Sequence, residues 1–121
     1  MKKGVHLVLG ASPRPERYAN MAVKRLRRAG HEVLAVGLRP GWIDDVPIET
    51  RVPEGVLVDT ITLYVGPAAL EAWRDKLLDL SPRRIIFNPG TEHPAFAQQA
   101  SRRGVEVVVG CTLVMLSAGT Y

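Results

Sequence analysis

The chain has 121 residues, 46% of them apolar and 23% charged, the proportions of one soluble domain able to close a single core. That balance excludes a disordered chain, the eleven glycines follow no collagen period, and no apolar run approaches the roughly 18 residues of a membrane span. The net charge of +4 is concentrated: between positions 14 and 39 seven basic residues face Glu16 and Glu32, a local +5 that suits an anionic partner.

Taken in chain order, Val5–Leu9 is a continuous apolar run closed by Gly10, the pattern of a strand buried on both faces. Ala19, Ala22, Val23, Leu26 and Ala29 follow at helical spacing, and Gly30 ends that helix. Residues 32–36 form a second strand. Residues 37–57 are punctuated by Pro40, Gly41, Pro47, Pro53 and Gly55, and hold at most a short edge strand around Ile48. Residues 60–65 are the third strand. Gly66 and Pro67 open a helix whose inner stripe is Leu70, Trp73, Leu77 and Leu80, ended by Ser81 and Pro82. Arg84–Phe87 is the fourth strand, and Thr91 is placed to cap a helix over residues 92–103. Gly104 precedes a fifth strand at 105–109. The remaining tail is read as too short for another strand–helix unit.

Strands alternating with helices imply right-handed crossovers and a small doubly wound α/β fold of about five mainly parallel strands, one domain over residues 1–121. Ligands in such folds bind beyond the carboxyl ends of the strands. The loops after each strand therefore share one rim, with Tyr64 and Pro67 as pocket walls. Gly10, Ala11 and Ser12 occupy the first strand-to-helix turn, where a helix N-terminus and a close backbone favour phosphate; Arg14 and Arg17 bring cations to its mouth. The dinucleotide fingerprint is incomplete, since Ser12 stands at its second glycine. Where NAD sites carry a carboxylate for the ribose diol, this chain has Gly37, Leu38 and Arg39, which suits a phosphorylated ribose: NADP, or coenzyme A with its 3′-phosphate.

Cys111 excludes an internal disulfide framework, and no two histidines have metal-ligand spacing. Cys111 and His93 are the candidate nucleophile and acid/base of a catalytic reading; as a small apolar residue and a helix-start residue they need no such role. Lys24, Arg25, Arg27 and Arg28 lack the interleaved aromatics of a nucleic-acid surface, so no nucleic acid is expected. Lys2 and Lys3 precede an apolar run, but Arg14 and Arg17 follow too soon for a signal-peptide core, and the chain is read as cytoplasmic.

The run Gly10-Ala11-Ser12-Pro13-Arg14-Pro15-Glu16-Arg17-Tyr18-Ala19-Asn20, followed by Leu26 and Gly30-His31-Glu32-Val33, resembles the stand-alone coenzyme A-binding domain proteins. These are bacterial Rossmann-like domains related to the coenzyme A-binding domain of the succinyl-CoA synthetase α subunit. The likeness continues through Asp59-Thr60-Ile61-Thr62-Leu63-Tyr64, Asn88-Pro89-Gly90-Thr91-Glu92 and Gly110-Cys111-Thr112. The resemblance implies that Gly10, Ala11, Ser12 and Arg17 hold a pyrophosphate, that Val36 and Arg39 meet the adenosine phosphate end, and that Pro67, Asn88, Pro89 and Gly90 line the pantetheine side. Many members read Val-Asn-Pro after the second strand, where this chain reads Val36-Gly37-Leu38-Arg39-Pro40. The implied function is binding of coenzyme A or an acyl-CoA without catalysis, alone, as a homo-oligomer or with a partner subunit. The alternative is a small NADP-dependent or acyl-CoA-processing enzyme using Cys111 or His93.

Overall fold

A computed structural model describes residues 4–121; Lys2 and Lys3 lie outside them. The strands are β1 (Val5–Leu9), β2 (Val33–Val36), β3 (Gly41–Ile43), β4 (Val46–Glu49), β5 (Val58–Leu63), β6 (Arg84–Phe87) and β7 (Glu106–Val109). The helices are α1 (Tyr18–Arg28), α2 (Pro67–Leu70), α3 (Arg74–Asp79), α4 (Pro94–Arg102) and α5 (Thr112–Ala118), with a 3₁₀ turn at Glu71–Trp73 between α2 and α3. One sheet runs in the order β3-β4-β2-β1-β5-β6-β7, parallel throughout except that β3 lies antiparallel on β4.

The central strands β1, β5 and β6 are buried over most of their length, as in a sheet covered on both faces. Successive side chains of β1 part company: Leu7 and Leu9 join a core with Leu70, Leu77 and Phe96, whereas Val8 packs with Val23 and Leu26 of α1. Leu116 of α5 joins the α1 side, and Arg25 of α1 donates to the Ser117 hydroxyl at 2.8 Å. The doubly wound α/β class is thus observed.

Two expectations need correction, and the tail, which adds no further strand, holds a helix that the sequence does not announce. The sheet has seven strands, not about five. The segment 37–57 supplies two of them, β3 and β4, a hairpin turning at Asp44, whose φ is +51°. Three- and four-residue strands broken by Pro47 carry too little periodicity to be read, and they persist because Ile43, Val46 and Ile48 are buried beside α1. The tail helix, α5, is held at its start by Asn88 and at its end by the left-handed Gly119 (φ +73°). Finally, α4 begins at Pro94 and is capped by His93 rather than Thr91: His93 Nδ1 accepts from the Phe96 amide at 3.2 Å.

Candidate functional site

The chain leaves β1 for the α1 face and β5 for the opposite face, so their carboxyl ends bound a gap that no crossover covers. A cleft of about 800 Å³ opens there. Nine of the twelve expected site residues line it: Gly10, Ala11, Ser12, Arg14, Arg17, Arg39, Tyr64, Pro89 and Gly90. Val36, Pro67 and Asn88 do not. Tyr18, 70% exposed, and Leu38, 97% exposed, also line the cleft although the sequence reading had passed them over. A leucine two residues beyond the end of β2, in a loop that topology sends to the ligand rim, was the available signal.

Val36 is fully buried, and its carbonyl accepts from the Gly10 and Ala11 amides at 2.8 and 3.0 Å. It holds the first loop in place, and those two amides are consequently spent on the fold. Gly10 has φ +99°, and a Cβ there would meet the Tyr64 backbone carbonyl oxygen at 2.8 Å, so glycine is demanded by both dihedral and space. Gly37 serves the same junction: a Cβ at 37 would run into the Ala11 carbonyl oxygen. We expect Gly37→Ala to lower stability by about 2 kcal/mol through backbone displacement. By moving the first loop it should also weaken ligand binding at least about tenfold. Thermal melts and titration calorimetry check both, and a variant matching the parent in each would remove this contact from the site.

The amides that remain belong to the first turn of α1. Arg17 occupies its N-cap and makes no side-chain capping bond, and no acidic residue lies in the first turn. Arginine is a poor cap, so the positive end of an eleven-residue helix is left open toward the loop. Asn20 braces the loop by donating to the Ser12 carbonyl at 2.9 Å, while the Ser12 hydroxyl accepts from the Arg14 amide at 3.2 Å. Among the described residues Arg14, Arg17 and Arg39 form no ion pair, in contrast to Arg27 with Asp45 or Arg83 with Asp59 and Glu106. The cleft lining holds these three arginines and no Asp, Glu, His or Cys. The formal charges of its lining are therefore all positive, with Glu16 outside it beside Arg14 and Arg17, hydroxyls from Ser12 and Thr91 and apolar walls from Leu38 and Val65.

The floor is a polar knot. Asn88, buried, donates from Nδ2 to Thr62 Oγ1 at 2.7 Å and to the Leu63 carbonyl at 2.8 Å, and its Oδ1 accepts from the Thr112 amide at 2.8 Å. The Thr62 and Thr112 hydroxyls meet at 2.6 Å. Asn88 thus ties β5, β6 and α5 together beneath the Pro89–Gly90 wall. Beside this knot, burial pushes the Tyr64 phenol up to about 12, keeping it a neutral hydroxyl, and it has no hydrogen-bond partner among the described residues.

Neither candidate catalyst lines the cleft. Both ring nitrogens of His93 are committed: Nδ1 to the Phe96 amide and Nε2, which donates, to Glu71 Oε1 at 2.5 Å. Cys111 is half-buried at the N-cap of α5. Among the described residues no group of three His, Cys, Asp or Glu side chains is placed to hold a metal ion, and no helix is long and apolar enough to cross a membrane.

The architecture recurs in solved structures. An uncharacterized protein matches with TM-score 0.91 and 43% identity over the full length of both chains. A protein from Thermus thermophilus matches at 0.84 and 22% identity, over 98% of this chain and 91% of that one. A dinucleotide-forming acetyl-coenzyme A synthetase from Ca. Korarchaeum cryptofilum, in complex with phosphate and ADP, matches at 0.71 and 16% identity; 86% of this chain corresponds to 25% of that larger protein. The last two likenesses concern the fold alone. No curated protein matches the chain significantly. Residues 5–117, nearly the whole chain, match the sequence pattern of the family described as the CoA binding domain, and the chain belongs to that family.

Proposed function

We propose that the chain binds coenzyme A or an acyl-CoA in the cleft above β1 and β5, and that it performs no catalysis of its own. The observation that carries this reading is the uncapped N-terminus of α1, flanked by Arg14, Arg17 and Arg39, which among the described residues have no ion-pair partner and share a lining free of carboxylates. A pyrophosphate at the helix end would take the free amides of the first turn and charge-assisted bonds from Arg14 and Arg17. Arg39, just beyond β2, lies on the side where a phosphorylated ribose would rest, and Tyr18 and Leu38 offer apolar surface to an adenine. The pantetheine arm would follow Tyr64, Val65 and the Pro89–Gly90 turn. Membership of the family supports coenzyme A over NADP as the guest. A lining without His, Cys, Asp or Glu supports binding over chemistry.

Side-by-side calorimetric titration with coenzyme A, dephospho-coenzyme A, NAD and NADP tests the reading. Coenzyme A should bind tightest, and dephospho-coenzyme A should lose about 1.5–3 kcal/mol, the worth of a charge-assisted contact. Arg39→Ala should abolish that difference while leaving dephospho-coenzyme A affinity nearly unchanged. Equal affinities in the parent would remove Arg39 from the site, and no binding of coenzyme A would sink the proposal.

A further inference from the structure

Residues 112–121 run the length of the sheet on its α1 side. At the carboxyl end of the strands Thr112, buried, is tied to Asn88 and Thr62 beneath the cleft. At the amino end Tyr121 docks across β1 and β6. Its hydroxyl lies 2.6 Å from His6 Nδ1, and Arg84 Cζ sits 4.3 Å from the centre of its ring. Between these anchors the ties are slight. Val114, Ser117 and Ala118 are exposed, Leu116 is half-buried in the α1-side core, and the bond from Arg25 to Ser117 lies in solvent. A seven-residue helix does not persist by propensity, and an element with so little burial opens at a lower free energy than the strands beneath it. The Tyr121 anchor therefore decides how firmly α5 is held.

That anchor is a poor place for a proton. His6 is buried on β1, the His31 ring is 4.2 Å away, and Tyr121 packs against both imidazoles. The ionisable groups facing His6 are His31 between α1 and β2, Asp59 of β5, Arg83 and Arg84 at the start of β6, and Tyr121. The two arginines are permanent cations. Asp59 stands 3.9 Å from Nε2, but it already takes two bonds from Arg83, at 3.0 and 3.1 Å, and one from Thr60. A second proton on His6 also turns Nδ1 from acceptor to donor, so the phenol must reverse its bond beside a guanidinium that can only donate. Lifting Tyr121 away opens the ring to water, which hydrates the new charge and screens it from the arginines.

We propose that residues 112–121 form a pH-sensitive strap, in which protonation of His6 releases Tyr121, and with it α5, from the sheet. Thr112 at the strap's other end belongs to the floor beneath the Pro89–Gly90 wall, so release loosens the cleft as well. The coupling is reciprocal: a ligand that holds the wall in place holds the strap down and makes His6 harder to protonate. The strap is independent of what the cleft binds, whereas its effect on affinity rests on the coenzyme A reading.

Amide hydrogen exchange and histidine NMR on the full chain test the strap without a ligand. From pH 7 to pH 5 the protection of the α5 amides should fall at least about tenfold and depend little on urea, while Ile61 and Leu63 of β5 exchange with the urea slope of global unfolding. His6→Gln should remove that pH response. Tyr121→Ala, which alters only the docked end, should move the His6 titration from about 4 up toward 6.5. Exchange of α5 and β5 at one free energy and one urea slope, a pH response that survives His6→Gln, or a His6 titration indifferent to Tyr121→Ala would overturn the proposal. With coenzyme A added, affinity should fall at least about fivefold more from pH 7 to pH 5 in the parent than in His6→Gln, a comparison that cancels titration of the ligand's own phosphates. Equal falls would overturn the link to the cleft. Absence of binding at both pH values would count against the coenzyme A reading, and the exchange result would still decide the strap.

Discussion

Asn88→Leu should lower the unfolding free energy by at least about 3 kcal/mol, the sum expected when several buried polar groups lose their partners together. The leucine fits the volume but bonds to nothing. The Thr112 amide loses its acceptor, and the Leu63 carbonyl and Thr62 hydroxyl lose their donor, all in a site without solvent access. Asn88→Asp is the informative companion. It retains an acceptor for the Thr112 amide but sets a second carboxylate oxygen against the Leu63 carbonyl, so it should be destabilised as well. Urea denaturation of the three proteins measures the differences. A loss below about 1 kcal/mol for the leucine variant would show that water or a rearranged Thr62–Thr112 pair replaces the amide. Because Asn88 underlies the Pro89–Gly90 wall, ligand affinity should fall in both variants.

The second large effect is a loss of stability in mild acid, governed by His6 at the opposite end of the sheet. His6 is buried on β1, and its Nδ1 lies 2.6 Å from the Tyr121 hydroxyl. Asp59 Oδ2 stands 3.9 Å from Nε2, which favours the proton on Nε2, so the phenol donates to Nδ1. The groups facing the ring are His31, Asp59, Arg83, Arg84 and Tyr121. Burial, followed by repulsion from His31, lowers the His6 pKa from 6.5 to about 4, and Asp59 only partly offsets this. Between those two pH values the unfolded chain binds a proton that the folded chain refuses. Stability attributable to His6 is therefore intact above pH 6.5 and falls as the pH drops toward 4, by about 3 kcal/mol in all. Asp59 acts in a lower window. Its bonds from Arg83 hold its pKa at about 2 against an ordinary 3.8, so its contribution is lost only as the pH falls through that range. His6→Gln should flatten the upper limb and spare the lower one. A parent whose stability is constant from pH 6.5 to 4 would show that His6 protonates in place.

The sequence by itself determined the alternation of strands and helices, the doubly wound class and the rim on which the cleft opens. These rest on local signals: apolar runs such as Val5–Leu9 and Arg84–Phe87, helical spacing in α1, and turn residues such as Gly10 that sit where the backbone needs them. The nine expected residues that line the cleft were legible for the same reason, since topology alone sends every strand-end loop to one side.

What the tertiary structure decided is of a different kind. The β3–β4 hairpin and α5 are too short to persist by propensity and exist because neighbouring elements bury them. The side chain of Val36 is core and its carbonyl anchors the first loop, a role set by the neighbouring strand and not by the local sequence. Asn88 is the knot beneath the Pro89–Gly90 wall, bonded to residues 24 to 26 positions away. His6 meets Tyr121 across 115 residues. Such bonds leave no periodicity in the chain, because their partners are chosen by which strand ends lie side by side. That choice is made only when burial of the two apolar faces fixes the strand order.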